Sequence, residues 1–233
     1  MQLPLRLIDP PAPKLSEGVV GRNAQALDAL RAFALQARVP GFATFCLWGA
    51  PGSGKSFWLG AWQAELGQHA TLINCADAEQ AAQALDELPV GPRLWLLDHL
   101  DQSNPEMIEA LFRLYNAARE NGQRIVAASA AAPVHLKVRE DLRTRVGQGL
   151  VFELHELSDE EKQQALRERA ARLALPLSED ALNYLMTRLP RDLGLLTRVL
   201  DALNERSLSK KRPATLPLLK ELLETADATT RIV

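Results

Sequence analysis

The stretch GAPGSGKS, Gly49 to Ser56, decides how the rest of this chain is read. It fits G-x-x-x-x-G-K-[ST] without a gap. Its setting is the one the motif requires: an apolar run, ATFCLWG (Ala43 to Gly49), before it and a helical pattern, about Lys55 to Leu66, after it. Each residue type answers a physical need. Gly49, Gly52 and Gly54, with Pro51 and Ser53 among them, let the backbone wrap closely and turn successive N–H groups inward. The helix N-terminus adds the positive end of its dipole. Lys55 can reach β- and γ-phosphates, and Ser56 can hold Mg²⁺. The alternative is a glycine-rich turn that matches by accident; at average glycine usage that chance is on the order of 1% for a chain of this length. The motif therefore predicts a nucleotide, ADP or ATP with Mg²⁺, on this loop.

Outward from the loop, short apolar runs alternate with helical patterns. TLINC (Thr71 to Cys75), RLWLLD (Arg93 to Asp98), RIVAAS (Arg124 to Ser129) and LVFEL (Leu150 to Leu154) read as further strands. Helices are expected at Ala24 to Ala37, with Leu27, Leu30 and Leu35 on its apolar stripe, at Ala78 to Leu88, and at Pro105 to Asn121 behind Asn104 as N-cap. The strands are apolar throughout rather than alternating, which argues for a parallel sheet covered on both faces. Asp98 closes its strand with a carboxylate at the edge where ligands bind in such sheets, placed to hold Mg²⁺ through water. Beyond Leu157 the strands stop. LSDEE opens a helix with Ser158 and Glu161 at capping-box spacing, and helices follow at Ser178 to Arg188, Asp192 to Ser207 and about Thr215 to Leu223. The chain is expected to divide into an extended segment, 1–14, an α/β nucleotide-binding domain, 15–156, and a small all-helical domain, 157–233.

Composition narrows the function. The 233 residues are 47% apolar and 24% charged with a formal net charge of −2, so no global basic character favours nucleic acid. Lys210-Lys211-Arg212 is the one compact basic cluster and reads as a solvated inter-helix loop. Cys46 and Cys75 lie in apolar runs without CxxC spacing, as buried free thiols of a reducing compartment do. No apolar run approaches eighteen residues and no leader pattern is present, so a cytoplasmic protein off the membrane is expected. One position stands out. Many ATPases of this build carry a second acid directly after the strand-end Asp to polarise the attacking water. Here that position is His99, with Asp101 two residues on. This predicts weak or absent hydrolysis by the chain itself.

VVGRN (Val19 to Asn23), GAPGSGKS, LWLLDHLD, RIVAASAAAP, EDLRTRVGQGLVFEL, LSDEEKQQALRERA and LPRDLGLLTRVLDAL fall in an order and spacing that resembles an AAA+ ATPase, most of all the DnaA branch. The resemblance runs from about Leu15 to the last residue. It implies a P-loop sheet of strand order 5-1-4-3-2 and a helical lid. By the same resemblance Val19 and Val20 pack on the adenine, and Ser129 lies in the sensor 1 stretch, with Ala130 where an acid is expected. Arg145 matches the box VII arginine finger that reaches a neighbouring subunit's γ-phosphate, an effect worth about 10³ to 10⁵ in rate in comparable systems. Arg143 lies close enough to compete for that role. Arg191 matches sensor 2, on the subunit's own nucleotide.

DnaA continues past its lid into a helix-turn-helix domain that this sequence does not include, so direct sequence-specific DNA binding is not expected. A DnaA-like core without that domain is similar to the Hda-like regulators of DnaA, which implies a role for MQLPLRL. Such regulators carry a short glutamine-leucine peptide for the sliding clamp, the DNA polymerase III beta subunit. Gln2, Leu3, Leu5 and Leu7 are the matching positions: Gln2 can hydrogen-bond at a pocket edge and extended leucines can fill apolar pockets. Arg6 departs from that apolar character. Two readings stand. One is a regulator of chromosomal replication initiation, bound to the clamp, that stimulates hydrolysis of DnaA-bound ATP through Arg145 supplied in trans. The other is a self-assembling AAA+ ATPase or loader that remodels a partner by its own hydrolysis. The partners implied are DnaA and the clamp; a homodimer stays open. A small-molecule kinase would also use a P-loop but leaves the two arginines and the lid unexplained.

Overall fold

A computed structural model describes residues 12–77, 79, 91 and 93–230. They fall into two compact units, Ala12–Glu156 and the residues from Leu157 onward. In the first unit, β1 (Ala43–Trp48), β2 (Ala70–Asn74), β3 (Leu94–Asp98), β4 (Arg124–Ser129) and β5 (Leu150–Glu153) form one sheet in the order β2-β3-β4-β1-β5. Every pairing is parallel, and the order is the 5-1-4-3-2 that the family resemblance implies. Helices α1 (Ala24–Ala34), α2 (Lys55–Leu66), α3 (Pro105–Glu120) and α4 (Glu140–Gly147) accompany it.

The period of two in a strand explains why these runs are apolar throughout. On β3, Leu94 and Leu96 enter one core with Phe45, Leu47, Val126, Ala128, Leu30, Leu59 and Trp62. Trp95 and Leu97 enter the other, with Cys46, Ile125, Ala127, Leu111, Leu114 and Val146. All five β3 residues are buried. The indole N–H of Trp95 donates to Gln123 Oε1 at 2.8 Å, so its polar edge is satisfied inside the core. Cys46 and Cys75 are buried free thiols, on β1 and just past β2, with β4 and β3 between those strands. Burial pushes each thiol up to about 12.

α3 begins as expected: Asn104 accepts the Met107 N–H at 2.7 Å, with Pro105 at the first helical position. α1 differs from expectation. It ends at Ala34, its buried residues are Ala26, Leu27, Leu30, Phe33 and Ala34, and Leu35 stands 59% exposed. Leu35 keeps helical backbone angles, but five residues on from Leu30 it lies about 140° around the axis and faces away from the stripe. α4 was not foreseen, because EDLRTRVG offers only Leu142 and Val146 to the core. The helix expected at Ala78 to Leu88 lies, apart from Glu79, outside the described residues.

The second unit holds α5 (Asp159–Arg172), α6 (Glu179–Arg188), α7 (Leu193–Lys210) and α8 (Leu216–Thr230). Ser158 and Glu161 form the reciprocal capping box, while Ser178 and Asp192 cap α6 and α7. Leu166, Leu182, Leu185, Leu196, Leu200, Leu203, Leu218 and Leu219 build a separate core. Arg169 grips Asp201 with two bonds of 3.0 Å, tying α5 to α7. The basic cluster is not simply solvated. Lys210 and Arg206 donate to Glu221 on α8, and Arg212 lies 3.6 Å from it. These partners, Lys210 foremost, hold the Glu221 carboxyl down at about 2. Among the described residues no helix is long and apolar enough to cross a membrane.

Candidate nucleotide site

The phosphate loop leaves β1 at Trp48 and enters α2 at Lys55. Gly54, the residue before the helix, sits at φ +95°, in the left-handed region that glycine reaches without strain. Gly49 is needed for room: a methyl there would stand 2.1 Å from the Leu154 carbonyl oxygen. Lys55 folds back over the loop, its Nζ donating to Gly49 O at 2.6 Å, Ala50 O at 2.9 Å and Ser53 Oγ at 3.2 Å. Burial lowers its pKa, while the charges of Asp98, Asp101 and Glu156 work in the opposite direction. Ser53 is buried, and Pro51, Gly52 and Ser56 are exposed.

Asp98 ends β3 as a buried carboxylate. The His99 N–H donates to its Oδ1 at 2.9 Å, and His99 Nε2 lies 3.6 Å from Oδ2. His99 adopts φ 54°, ψ 40°, a left-handed conformation unusual for a side-chain-bearing residue. Asp101 does not stand free in its place: its Oδ1 accepts the Ala130 N–H at 2.8 Å. Position 130, where the resemblance implies an acid, thus offers its backbone N–H to Asp101. Ser129, buried at the end of β4, donates its hydroxyl to Ala131 O at 2.7 Å. The donor set suits a nucleotide and its metal: a glycine loop with no room for a side chain at Gly49 and a left-handed Gly54, a lysine already bent over it, an exposed Ser56 and a buried Asp98. Lys55 and the loop backbone would hold phosphates, and Ser56 and Asp98 would hold Mg²⁺.

Val19 is half-buried and Val20 is 43% exposed, just before the 3₁₀ turn Gly21–Asn23 that leads into α1. Their segment is fixed by a residue that sequence reasoning passed over. Asn23 donates to His155 O at 2.9 Å and accepts the His155 N–H at 2.8 Å, tying the start of α1 to the chain after β5. An Asn before a helix reads as an N-cap, yet this one makes no cap bond.

Arg145, on α4, contacts α3 rather than the phosphate loop. Its Nη1 donates to Asn116 Oδ1 at 2.6 Å, and its guanidinium carbon lies 4.3 Å from the Phe112 ring centre. Phe112 and Asn116 are four residues apart, one turn on the same helix face. The i, i+4 spacing was legible; its pairing with Arg145 was not. Arg143 instead lines an open groove of about 520 Å³ with Val134, Thr144, Gln148 and Val151. Arg191 is 60% exposed and paired with Asp159 within the helical unit. Gln2, Leu3, Leu5 and Leu7 lie outside the described residues.

Comparison with known proteins adds an independent line. A family model described as "Hda, lid domain" matches residues 159–223. A Haemophilus influenzae protein described as uncharacterized is 31% identical over 229 residues, covering 95% of this chain and 98% of that protein. Domain III of Thermotoga maritima DnaA superposes with a TM-score of 0.73 at 19% identity, over 93% of this chain and 97% of that one. AMPPCP-bound DnaA from Aquifex aeolicus gives 0.64 at 19%, over 87% and 70%. The Thermotoga maritima RuvB branch migration motor gives 0.63 at 17%, over 91% and 71%. At such identities the superpositions speak for the fold. With a relative that matches nearly end to end and a lid that answers to the Hda model, the chain belongs to the Hda-like family of DnaA-like AAA+ proteins.

Proposed function

We propose that this protein regulates chromosomal replication initiation by stimulating hydrolysis of DnaA-bound ATP. Its own site holds an adenine nucleotide, ADP or ATP with Mg²⁺, through Lys55, the loop backbone, Ser56 and Asp98. Val19 and Val20 lie against the base, and Ser129 and Arg191 serve as its sensors. That nucleotide fixes the shape of the chain more than it is consumed. The observation that carries the reading is the pairing of two features. The acid expected after Asp98 is His99, with Asp101 engaged by Ala130. Arg145 meanwhile is held in a defined orientation by Asn116 and Phe112. A weak site of its own, together with an arginine oriented elsewhere on the same unit, suits a protein that completes another's site. Solved DnaA has been captured with AMPPCP, which supports an adenine nucleotide for this fold.

In this reading residues 1–14 form the address. Gln2, Leu3, Leu5 and Leu7 bind the sliding clamp, residues 15–156 hold the nucleotide, and 157–233 act as the lid, all in the cytoplasm. Arg145 neutralises charge that develops on the γ-phosphate of DnaA-bound ATP, which leaves DnaA–ADP.

The experiment measures hydrolysis of ATP bound to DnaA with and without this protein, clamp and DNA. Stimulation is expected, and Arg145→Ala abolishes it while nucleotide binding by the variant stays intact. No stimulation by the wild-type chain overturns the proposal. Rapid turnover by the chain alone, above about one per second in the ordinary enzyme range, favours the self-assembling ATPase instead. Deleting Gln2 to Leu7 is expected to remove clamp binding without altering nucleotide affinity.

A further inference from the structure

Two glycines on different elements face one indole. Gly18 leads directly into Val19-Val20, and it lies so close to Trp58 that a methyl there would stand 2.2 Å from Cη2, 2.6 Å from Cζ2 and 2.8 Å from Cζ3. Its φ of −73° and ψ of 136° are open to any residue. Glycine is required at this position for room and not for backbone freedom. The other edge of the same indole faces the phosphate loop: Cδ1 and Nε1 lie 3.8 Å from where a methyl on Gly54 would stand.

Trp58 is in the first turn of α2, 9% exposed, with the Phe57 ring edge-on at 5.4 Å. It belongs to the core that also takes Leu59 and Trp62 and packs Leu15. A second tight contact presses the same segment on the same helix, since a methyl at Gly60 would stand 2.9 Å from Pro13 Cγ. From Ala12 to Val20 the chain has one short 3₁₀ turn, Leu15–Glu17, and no strand. Packing on α2, more than a backbone ladder, therefore sets its height. A rigid, buried aromatic plate is suited to that task, because it has few rotamers to lose and cannot yield to an added methyl.

We propose that Trp58 is a positioning residue for nucleoside recognition. It seats Gly18 and so fixes where Val19-Val20 meet the base, and it joins that segment to the phosphate loop through one rigid ring. This rests on the adenine-nucleotide reading of the site. It predicts that disturbing the seat separates the two halves of the ligand: the base is lost while the phosphates are kept.

Calorimetric titration of the full chain with Mg²⁺ and either ADP or pyrophosphate tests it. Gly18→Ala is expected to bind ADP about tenfold more weakly while pyrophosphate stays within about twofold of wild type. Trp58→Phe removes the outer ring that the methyl would strike. Alone it also weakens ADP selectively, because the seat is gone; combined with Gly18→Ala it restores most of the lost ADP affinity. Equal losses for ADP and pyrophosphate in these variants, or no loss in either, overturn the inference and leave Trp58 as core filling. If Gly18→Ala fails to fold, Trp58→Phe carries the same comparison. A wild-type chain that binds neither ligand overturns the nucleotide reading itself, a result distinct from a failed seat.

Discussion

His99 concentrates the question of the chain's own chemistry in one side chain. An imidazole can accept a proton, but here its nearest carboxylate is Asp98, at 3.6 Å, and its backbone is held left-handed. Aspartate tolerates that conformation better than most residues. His99→Asp is therefore expected to fold normally and to raise the chain's own ATP turnover by about a hundredfold, the lower end of the range for a positioned general base. Single-turnover hydrolysis of bound ATP measures this, and an unchanged rate would mean that the missing acid is not what limits the site. Position 99 was legible as an anomaly from LWLLDHLD alone. That Asp101 spends an oxygen on Ala130 was not, because the two residues are 29 apart in sequence. Arg145 shows the same boundary: its type and motif were readable, while its partner Asn116 came only with packing.

Helix ends are the elements whose physics is most local. Ser158 accepts the Glu161 N–H at 3.2 Å and Glu161 returns to the Ser158 N–H at 2.7 Å, within four residues of chain. Ser158→Ala is expected to destabilise the helical unit by about 1 kcal/mol, read from denaturant unfolding followed by helical circular dichroism. The α7–α8 contact adds a pH dependence. Glu221, held at about 2 by Lys210 and Arg206, is a carboxyl whose folded pKa lies below its ordinary value. Its contribution is complete above the ordinary carboxylate pKa and is lost as pH falls through that value toward about 2. Acid titration of helicity should accordingly show a smaller acid-induced loss in Glu221→Gln than in wild type. The capping box was visible as S-x-x-E, whereas the grip on Glu221 was not, since Arg206, Lys210 and Arg212 come together with it only when α7 and α8 pack. α4 was missed for a related reason: two buried apolar residues in eight are too few to show a period.

At the scale of the whole molecule, the prediction concerns ligand linkage. A nucleotide that binds the folded α/β unit and not the unfolded chain stabilises it by about 2.7 kcal/mol at a hundredfold excess over Kd. Mg²⁺-ADP should therefore raise the thermal midpoint of the wild-type chain. Lys55→Ala, which removes the cation from the cradle of Gly49, Ala50 and Ser53, should abolish the rise while leaving the ligand-free midpoint close to wild type. Differential scanning calorimetry reads both; a rise that survives in Lys55→Ala would remove Lys55 from the binding role.

The sequence by itself determined the loop, the strand-and-helix alternation and the caps, because each is encoded over a few residues: a glycine spacing, an apolar run ended by an acid, a serine three residues ahead of a glutamate. The strand order 5-1-4-3-2 came from family resemblance, since nothing local says which parallel strands become neighbours. Tertiary structure alone decided the contacts between residues distant in the chain. Asn23 binds the backbone of His155, Asp101 takes the Ala130 N–H, Arg145 lies against Asn116 and Phe112, and Gly18 gives way to Trp58. These depend on which faces the packed sheet and helices bring together, and a side chain's partner across such a contact leaves no periodic mark in the sequence.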